Sequence, residues 1–188
     1  VKDDCLVKYI NNRDGEQWWS DADYSSLYNL TNGMEKRSRS GILGEYDGMP
    51  YHWSSKFQQC RGTMHEPEDN AEPRDLATSA AESETYAAAD TAKEAMHYRH
   101  IQQEMRGRCT GKTTIKMDAS AARGFILNTG SVSRMKHIDM RASWIAQLRS
   151  LDELDYERIP GTTNRADPFT KILTGKAFQE WQATLMKK

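Results

Sequence analysis

Four carboxylates stand in settings that suit metal-assisted chemistry on a phosphodiester. They are Asp21 in Trp19-Ser20-Asp21-Ala22-Asp23 and Glu84 in Ala81-Glu82-Ser83-Glu84-Thr85-Tyr86. Asp118 follows in Ile115-Lys116-Met117-Asp118-Ala119, and Asp167 in Asn164-Arg165-Ala166-Asp167-Pro168. Mg²⁺ prefers oxygen ligands in octahedral geometry and takes only a few from protein, leaving the rest to water and phosphate. Two such ions, about 4 Å apart, activate a water on one side of a phosphate and stabilise the leaving oxygen on the other. That chemistry needs several carboxylates converging from different elements, with one bridging both ions. Taken singly, each residue has an ordinary reading. A lone aspartate on a strand faces solvent, and a glutamate in a first helical turn favours the helix dipole. Four in this order, each on a suitable element, point to a two-metal site.

The elements that must position them follow from the pattern. Residues 17–24 read as a short strand, and 25–32 as a loop rich in Ser and Asn. Residues 38–46 and 50–57 read as two more strands with Asp47-Gly48 as the turn between them. This is an antiparallel meander with Asp21 on its first strand. Residues 59–75 change to Gly, Pro, Glu, Asp and Asn, the composition of a flexible surface loop. Residues 79–106 form the longest helical stretch, with Tyr86, Ala89, Ala92 and Met96 at spacings of three and four. Glu84 falls in its first turns. Residues 113–118 alternate, setting Ile115 and Met117 on one face and Thr114, Lys116 and Asp118 on the other. A short helix at 119–127 and a longer one at 137–148 come next, the latter striped by Ile138, Ala142, Ile145 and Leu148. A last strand, 154–159, ends at Pro160-Gly161, and helical pieces at 167–173 and 175–186 close the chain. The order β-β-β-α-β-α-α-β-α predicts an α/β fold with a mixed sheet flanked by helices.

A chain of 188 residues makes one domain of ordinary size, or one domain with tails. Charged residues are 28% and the large aliphatics are sparse, so Trp, Tyr and Met must supply much of the packing. A net charge of -1 excludes bulk electrostatic attraction to nucleic acid but leaves room for local basic surfaces. Candidates are Lys36-Arg37-Ser38-Arg39, Arg106-Gly107-Arg108 and Arg134-Met135-Lys136-His137. Cys5, Cys60 and Cys109 are odd in number and widely separated, which disfavours a disulfide framework and structural zinc and suits a reducing compartment. No apolar run reaches membrane-span length and no signal-peptide pattern opens the chain. The expected location is intracellular, in a cytoplasmic particle or the nucleus, without secretion or membrane contact. The first residue is Val, which fits an excerpt of something longer. The expected domain plan is a linker or tail at 1–16, a catalytic domain at 17–174 with an inserted flexible loop at 60–76, and a C-terminal helix at 175–188.

The motifs also carry a family resemblance. Ser20 to Tyr24, Lys36 to Gly41, Trp53 to Lys56 and Ala80 to Glu84 resemble S-D-A-D-W, R-R-S-T-S-G, W-S-S-K-K-Q and S-S-T-E-A-E-Y. Lys93-Glu94-Ala95, Met117 to Ala121, Ser133 to Arg141 and Asn164 to Lys171 resemble K-E-A, C-D-N-Q-S-A, R-T-K-H-I-D-I-R and N-x-A-D-x-x-T-K. These are the motifs of the ribonuclease H domain at the C-terminal end of Ty1/copia-type retrotransposon polyproteins, met here in the same order over roughly residues 17–173. The segment Arg134 to Arg141 is the most distinctive match.

The resemblance implies a ribonuclease H-like fold: a mixed five-stranded sheet, three antiparallel strands first, flanked by helices. It implies an endonuclease that cuts the RNA strand of an RNA–DNA hybrid with two Mg²⁺ ions, Mn²⁺ being a substitute, downstream of a reverse transcriptase in the same polyprotein. Asp21 would bridge the ions, Glu84 and Asp118 would hold the one near the leaving group, and Asp167 the one that activates water. Asp21 is preferred to Asp23 because the family's Tyr-Ser-Asp falls on Trp19-Ser20-Asp21. Glu84 is preferred to Glu82 by its distance to Lys93-Glu94, and Glu82 would point elsewhere, about 200° round the helix.

The departures from the family pattern are Thr85 where an aromatic is usual, and about a dozen extra residues, Cys60 to Asp75, read as a bulge into solvent. Asp167 is also a candidate N-cap, with Pro168 in the first helical position. The mobile His of many cellular ribonucleases H has no counterpart in residues 160–164; His137 reads as structural, and Trp19 and Trp53 as core. The rival reading is an inactive relic that binds nucleic acid or serves as an interaction module.

Overall fold

A computed structural model describes residues 15–24, 38–58, 79–107, 111–118 and 136–186. The loops read at 25–32 and 59–75, the helix at 119–127, the three cysteines and nearly all of the 1–16 tail lie outside the described residues.

The meander is present as β1 (Glu16–Asp23), β2 (Arg39–Tyr46) and β3 (Met49–Phe57), with Asp47 and Gly48 at positive φ in the β2–β3 turn. Then come α1 (Ala80–Arg106), β4 (Thr113–Met117), α2 (Lys136–Ser150), β5 (Leu154–Arg158) and α3 (Gly175–Met186). The sheet order is β3-β2-β1-β4-β5, antiparallel for the first three strands and parallel between β1, β4 and β5. The strand carrying Asp21 is therefore central. β1 starts at Glu16, one residue inside the stretch read as a tail.

Helix α1 starts where Ser79 caps it, its Oγ accepting from Glu82 N at 3.2 Å, and ends at Gly107 in the left-handed conformation. Its alanines 88, 89, 92 and 95 are buried against one sheet face, where small side chains let the helix lie close under the Trp18 indole. Ile42, Ile115, Met117, Ile145 and Leu154 complete this core, and Tyr51, His52 and Tyr98 ring Trp18 with centroids 5.4–5.6 Å away. The expectation that aromatics substitute for missing aliphatics holds here.

The opposite face carries the row Trp19, Leu43 and Trp53, which are cross-strand partners and so share a side of the pleat. Trp19 and Leu43 are buried under Ala166, Phe169 and Leu185. Trp53 is not core as expected. It is 64% exposed, because β3 is the sheet edge and α3 covers it only in part, leaving a groove with Phe178 and Trp181 on its wall. The stretch read as helical over 167–173 is only a 3-10 turn, Asp167–Phe169, preceded by another at Gly161–Thr163.

Candidate metal centre

The parallel register sets Gln17 opposite Thr114 and Trp19 opposite Lys116. Extending it by two residues brings Asp118, just past the end of β4, level with Asp21. Glu84 reaches the same end of the sheet from the second turn of α1, where the Ala22 backbone N–H donates to its carboxylate. Ligand atoms of Asp21, Glu84 and Asp118 lie within 4.8 Å of one another. Three of the four residues singled out in the sequence are thus brought together. Asp23 and Glu82 are not in the group, and Glu82 instead accepts the Tyr86 hydroxyl at 2.7 Å.

Asp167 stands outside the three-acid group. It is the first residue of the 3-10 turn rather than its N-cap, a place taken by Ala166, and its side chain pairs with Lys171. The turn is held against the sheet largely by side-chain contacts. Asn164 Nδ2 donates to the Ser20 carbonyl at 3.0 Å, and Arg165 pairs with buried Glu45. Ser55 Oγ donates to the Phe169 carbonyl, and Thr170 Oγ1 to Asp21 Oδ2 at 2.5 Å. Gly41, the cross-strand partner of Asp21, makes this approach possible: a Cβ there would meet the Ala166 carbonyl and Thr170 Cγ2 at 2.8 Å.

Asp21 is therefore clamped on both oxygens. Asn164 Nδ2 is 3.3 Å from Oδ1 while Thr170 binds Oδ2. The Thr170 hydroxyl is also 2.9 Å from the Asp167 carbonyl, but it has one proton, and a carboxylate is the stronger acceptor. These partners, and Gly161, whose missing Cβ would meet Asp118 Oδ2 at 2.7 Å, were not singled out as functional in the sequence. The signal was present, since Asn164, Thr170 and Lys171 are the polar letters other than the acid in the N-x-A-D-x-x-T-K pattern.

Burial pushes the Asp21 carboxyl up to about 6; the Thr170 hydrogen bond opposes this, Asp118 and Asp167 reinforce it, and Lys171 opposes it. Burial, with Asp21 and Asp118 adding to it, pushes Glu84 up to about 9. Glu84 Oε2 is buried, and among the described residues nothing donates to it. Buried carboxylates ordinarily find donors or counter-charges. Three that face one another with an orphaned oxygen are a donor set for a hard divalent cation, and the residues fit such an ion. Beside them an open cavity of about 730 Å³ is walled by Asp118, Asn164, Asp167 and Lys171, with Trp181 and Leu185 on its apolar side.

Of the basic segments proposed, only Ser38-Arg39 of the first is described in side-chain detail; Arg39 stacks 4.3 Å over Phe57 and donates to Ser55 Oγ. The side chains of Arg106, Arg108 and Arg134 to His137 lie outside the described residues. Among those described, no helix is long and apolar enough to cross a membrane.

No family model matches the chain. Among solved structures it is similar to LC11-RNase H1 in complex with an RNA/DNA hybrid, with a TM-score of 0.54, 14% identity, and coverage of 88% of this chain and 97% of that one. It is similar also to the RNase H1 of the halophilic archaeon Halobacterium salinarum, with a TM-score of 0.55, 11% identity, and coverage of 88% and 98%. The fold is that of ribonuclease H.

In sequence the chain is 28% identical over 144 residues to the retrovirus-related Pol polyprotein from transposon TNT 1-94 of Nicotiana tabacum, which covers 77% of this chain. The chain is thus similar to a retrotransposon Pol polyprotein, the class of protein that its motifs resemble. It spans only about a tenth of that polyprotein's length.

Proposed function

We propose that the chain hydrolyses the RNA strand of RNA–DNA hybrids by a two-metal mechanism, as the ribonuclease H domain of a retrotransposon polyprotein. The observation that carries this reading is the convergence of Asp21, Glu84 and Asp118, from three different elements, within 4.8 Å on a ribonuclease H fold. Asp21, Glu84 and Asp118 would hold one Mg²⁺ ion, and Asp21 with Asp167 a second; Mn²⁺ presents similar demands. When bound, the ions supply charge at the scissile phosphate and a nucleophilic water.

The protein's own part is preorganisation. Thr170 and Asn164 fix the orientation of Asp21, and Glu84, whose carboxyl burial pushes up to about 9, would serve as a ligand in its ionised form. Gly161 leaves Asp118 room beside the open cavity. Discrimination in favour of the hybrid rests on 2′-hydroxyl and groove-shape contacts rather than base sequence. The partner in the same polyprotein would be an upstream reverse transcriptase.

The test is cleavage of labelled RNA–DNA hybrid, duplex DNA and single-stranded RNA by purified protein with Mg²⁺. Hybrid-selective cleavage that Asp118→Asn abolishes is expected. Hybrid binding without cleavage, unchanged by that substitution, would establish the inactive relic instead.

A further inference from the structure

Among the described residues, Asp167 is the only one of the four acids in an ion pair. Its Oδ1 is held by the ammonium of Lys171, four residues on, at hydrogen-bond distance. The pair occupies the wall of the open cavity beside Asp118. Lys171 also feels the charges of Asp21 and Asp118, so its ammonium acts on those two carboxylates as well as on Asp167. The 3-10 turn ends before Lys171, and its side chain is 59% exposed, so the stem is free to swing outward without breaking the fold. An ammonium and a divalent cation compete for the same carboxylate oxygen. Among the described residues, no ammonium or guanidinium is paired with the three-acid group.

We propose that Lys171 is the resident counter-cation of Asp167 and must be displaced when a divalent ion binds there. This rests on the two-metal reading above and deepens it. The chain then takes one ion firmly through Asp21, Glu84 and Asp118, and a second more weakly, because that step also breaks the Lys171–Asp167 pair. Lys171 is a positioning residue: it sets the order in which the centre fills, and in the unfilled centre it offsets the negative charge of Asp167.

The experiment is a Mn²⁺ titration of the full chain without nucleic acid, read by calorimetry and by the electron paramagnetic resonance of free Mn²⁺. Wild type, Lys171→Met, Lys171→Arg, Asp118→Asn and Asp167→Asn are compared, with circular dichroism confirming folding. Wild type should show two unequal steps, the stronger lost in Asp118→Asn and the weaker in Asp167→Asn. Lys171→Met should tighten the weaker step by up to about fivefold, the ceiling for an exposed ion pair, and leave the stronger step unchanged. Lys171→Arg should keep the wild-type pattern. If wild type takes one ion only, a second step gained by Lys171→Met supports the proposal, and none gained overturns it. A weaker step that Lys171→Met leaves unchanged or loosens also overturns it. If wild type takes up no ion, the metal reading fails as well. Ion uptake dependent on Asp118 but indifferent to Lys171 defeats this inference alone.

Discussion

β1 carries one carboxylate at its start, Glu16, and another toward its far end, Asp21, and the two are treated in opposite ways. At the start of the strand, Glu16 is surrounded by donors: Trp18 Nε1 at 2.9 Å, Tyr51 OH at 2.7 Å, Thr113 Oγ1 at 3.1 Å and Gln102 Nε2 at 3.3 Å. Arg99 joins the same network, bonding Thr113 Oγ1, the Gly111 carbonyl and Glu153. At the other end, Asp21 has two partners but faces Asp118, whose charge opposes its own, and the buried carboxyl of Glu84. The first arrangement ties α1 to β1, β3 and β4. The second leaves like charges together with an orphaned oxygen on Glu84, which costs stability unless a cation arrives. One end of the strand is built to hold the fold, and the other to hold something the fold does not itself provide.

The sharpest way to break this contrast is Asp21→Asn. Hybrid cleavage should fall on the order of 10³-fold or more, while the melting temperature of metal-free protein stays level or rises as repulsion is relieved. Rates and melts on the same preparation check both halves; near-normal turnover would remove Asp21 from the site. Next comes Thr170→Val, which keeps shape and loses the proton donor. Divalent-ion affinity should weaken by about 10-fold or more, with Thr170→Ser restoring it. Intact affinity in the Val variant would mean that Asp21 needs no clamp.

At the other end, Glu16→Ala should cost about 1–3 kcal/mol in urea unfolding, through the donors it leaves unpaired. Cleavage per folded molecule should not change. A loss of cleavage without a loss of stability would reverse the roles assigned to the two ends. The last test is the pH dependence of stability in chelator. Asp21 and Glu84 have folded pKa values raised to about 6 and about 9, above their ordinary values of 3.8 and 4.5. The folded state therefore keeps protons that the unfolded chain has released. Their stabilising contribution is complete below pH 4 and is lost as pH rises through 6 and then 9. Glu84→Gln should flatten the upper part of that decline, and saturating Mg²⁺ should do the same for wild type.

Much of this was legible without coordinates. The alternation of β4 was borne out, with Thr113, Ile115 and Met117 buried and Lys116 between them half-buried. The Ala-rich stripe of α1 and the Asp47-Gly48 turn also formed as read, because they depend on local periodicity and backbone preference. Trp53 was misread because an aromatic in an alternating strand looks the same on an edge as at the centre. The alternative reading of Asp167 as an N-cap, suggested because Asp-Pro is a common helix start, does not hold, since Ala166 takes that place. Here the turn's position is decided instead by Arg165 on Glu45 and Thr170 on Asp21, contacts spanning 120 and 149 positions of sequence.

The sequence by itself determined the order of elements, the four acids and the motif letters around them, since each is a property of a short window. Only the tertiary structure decided which acids meet. Asp21, Glu84 and Asp118 converge because the β1–β4 register and the packing of α1 set three distant residues at one end of the sheet. Asp167 remains apart, paired with Lys171, because its turn is docked by side chains rather than by the ladder. Convergence of like charges has no local signature. Each carboxylate obeys the preferences of its own element, and their repulsion exists only once the chain has folded around them.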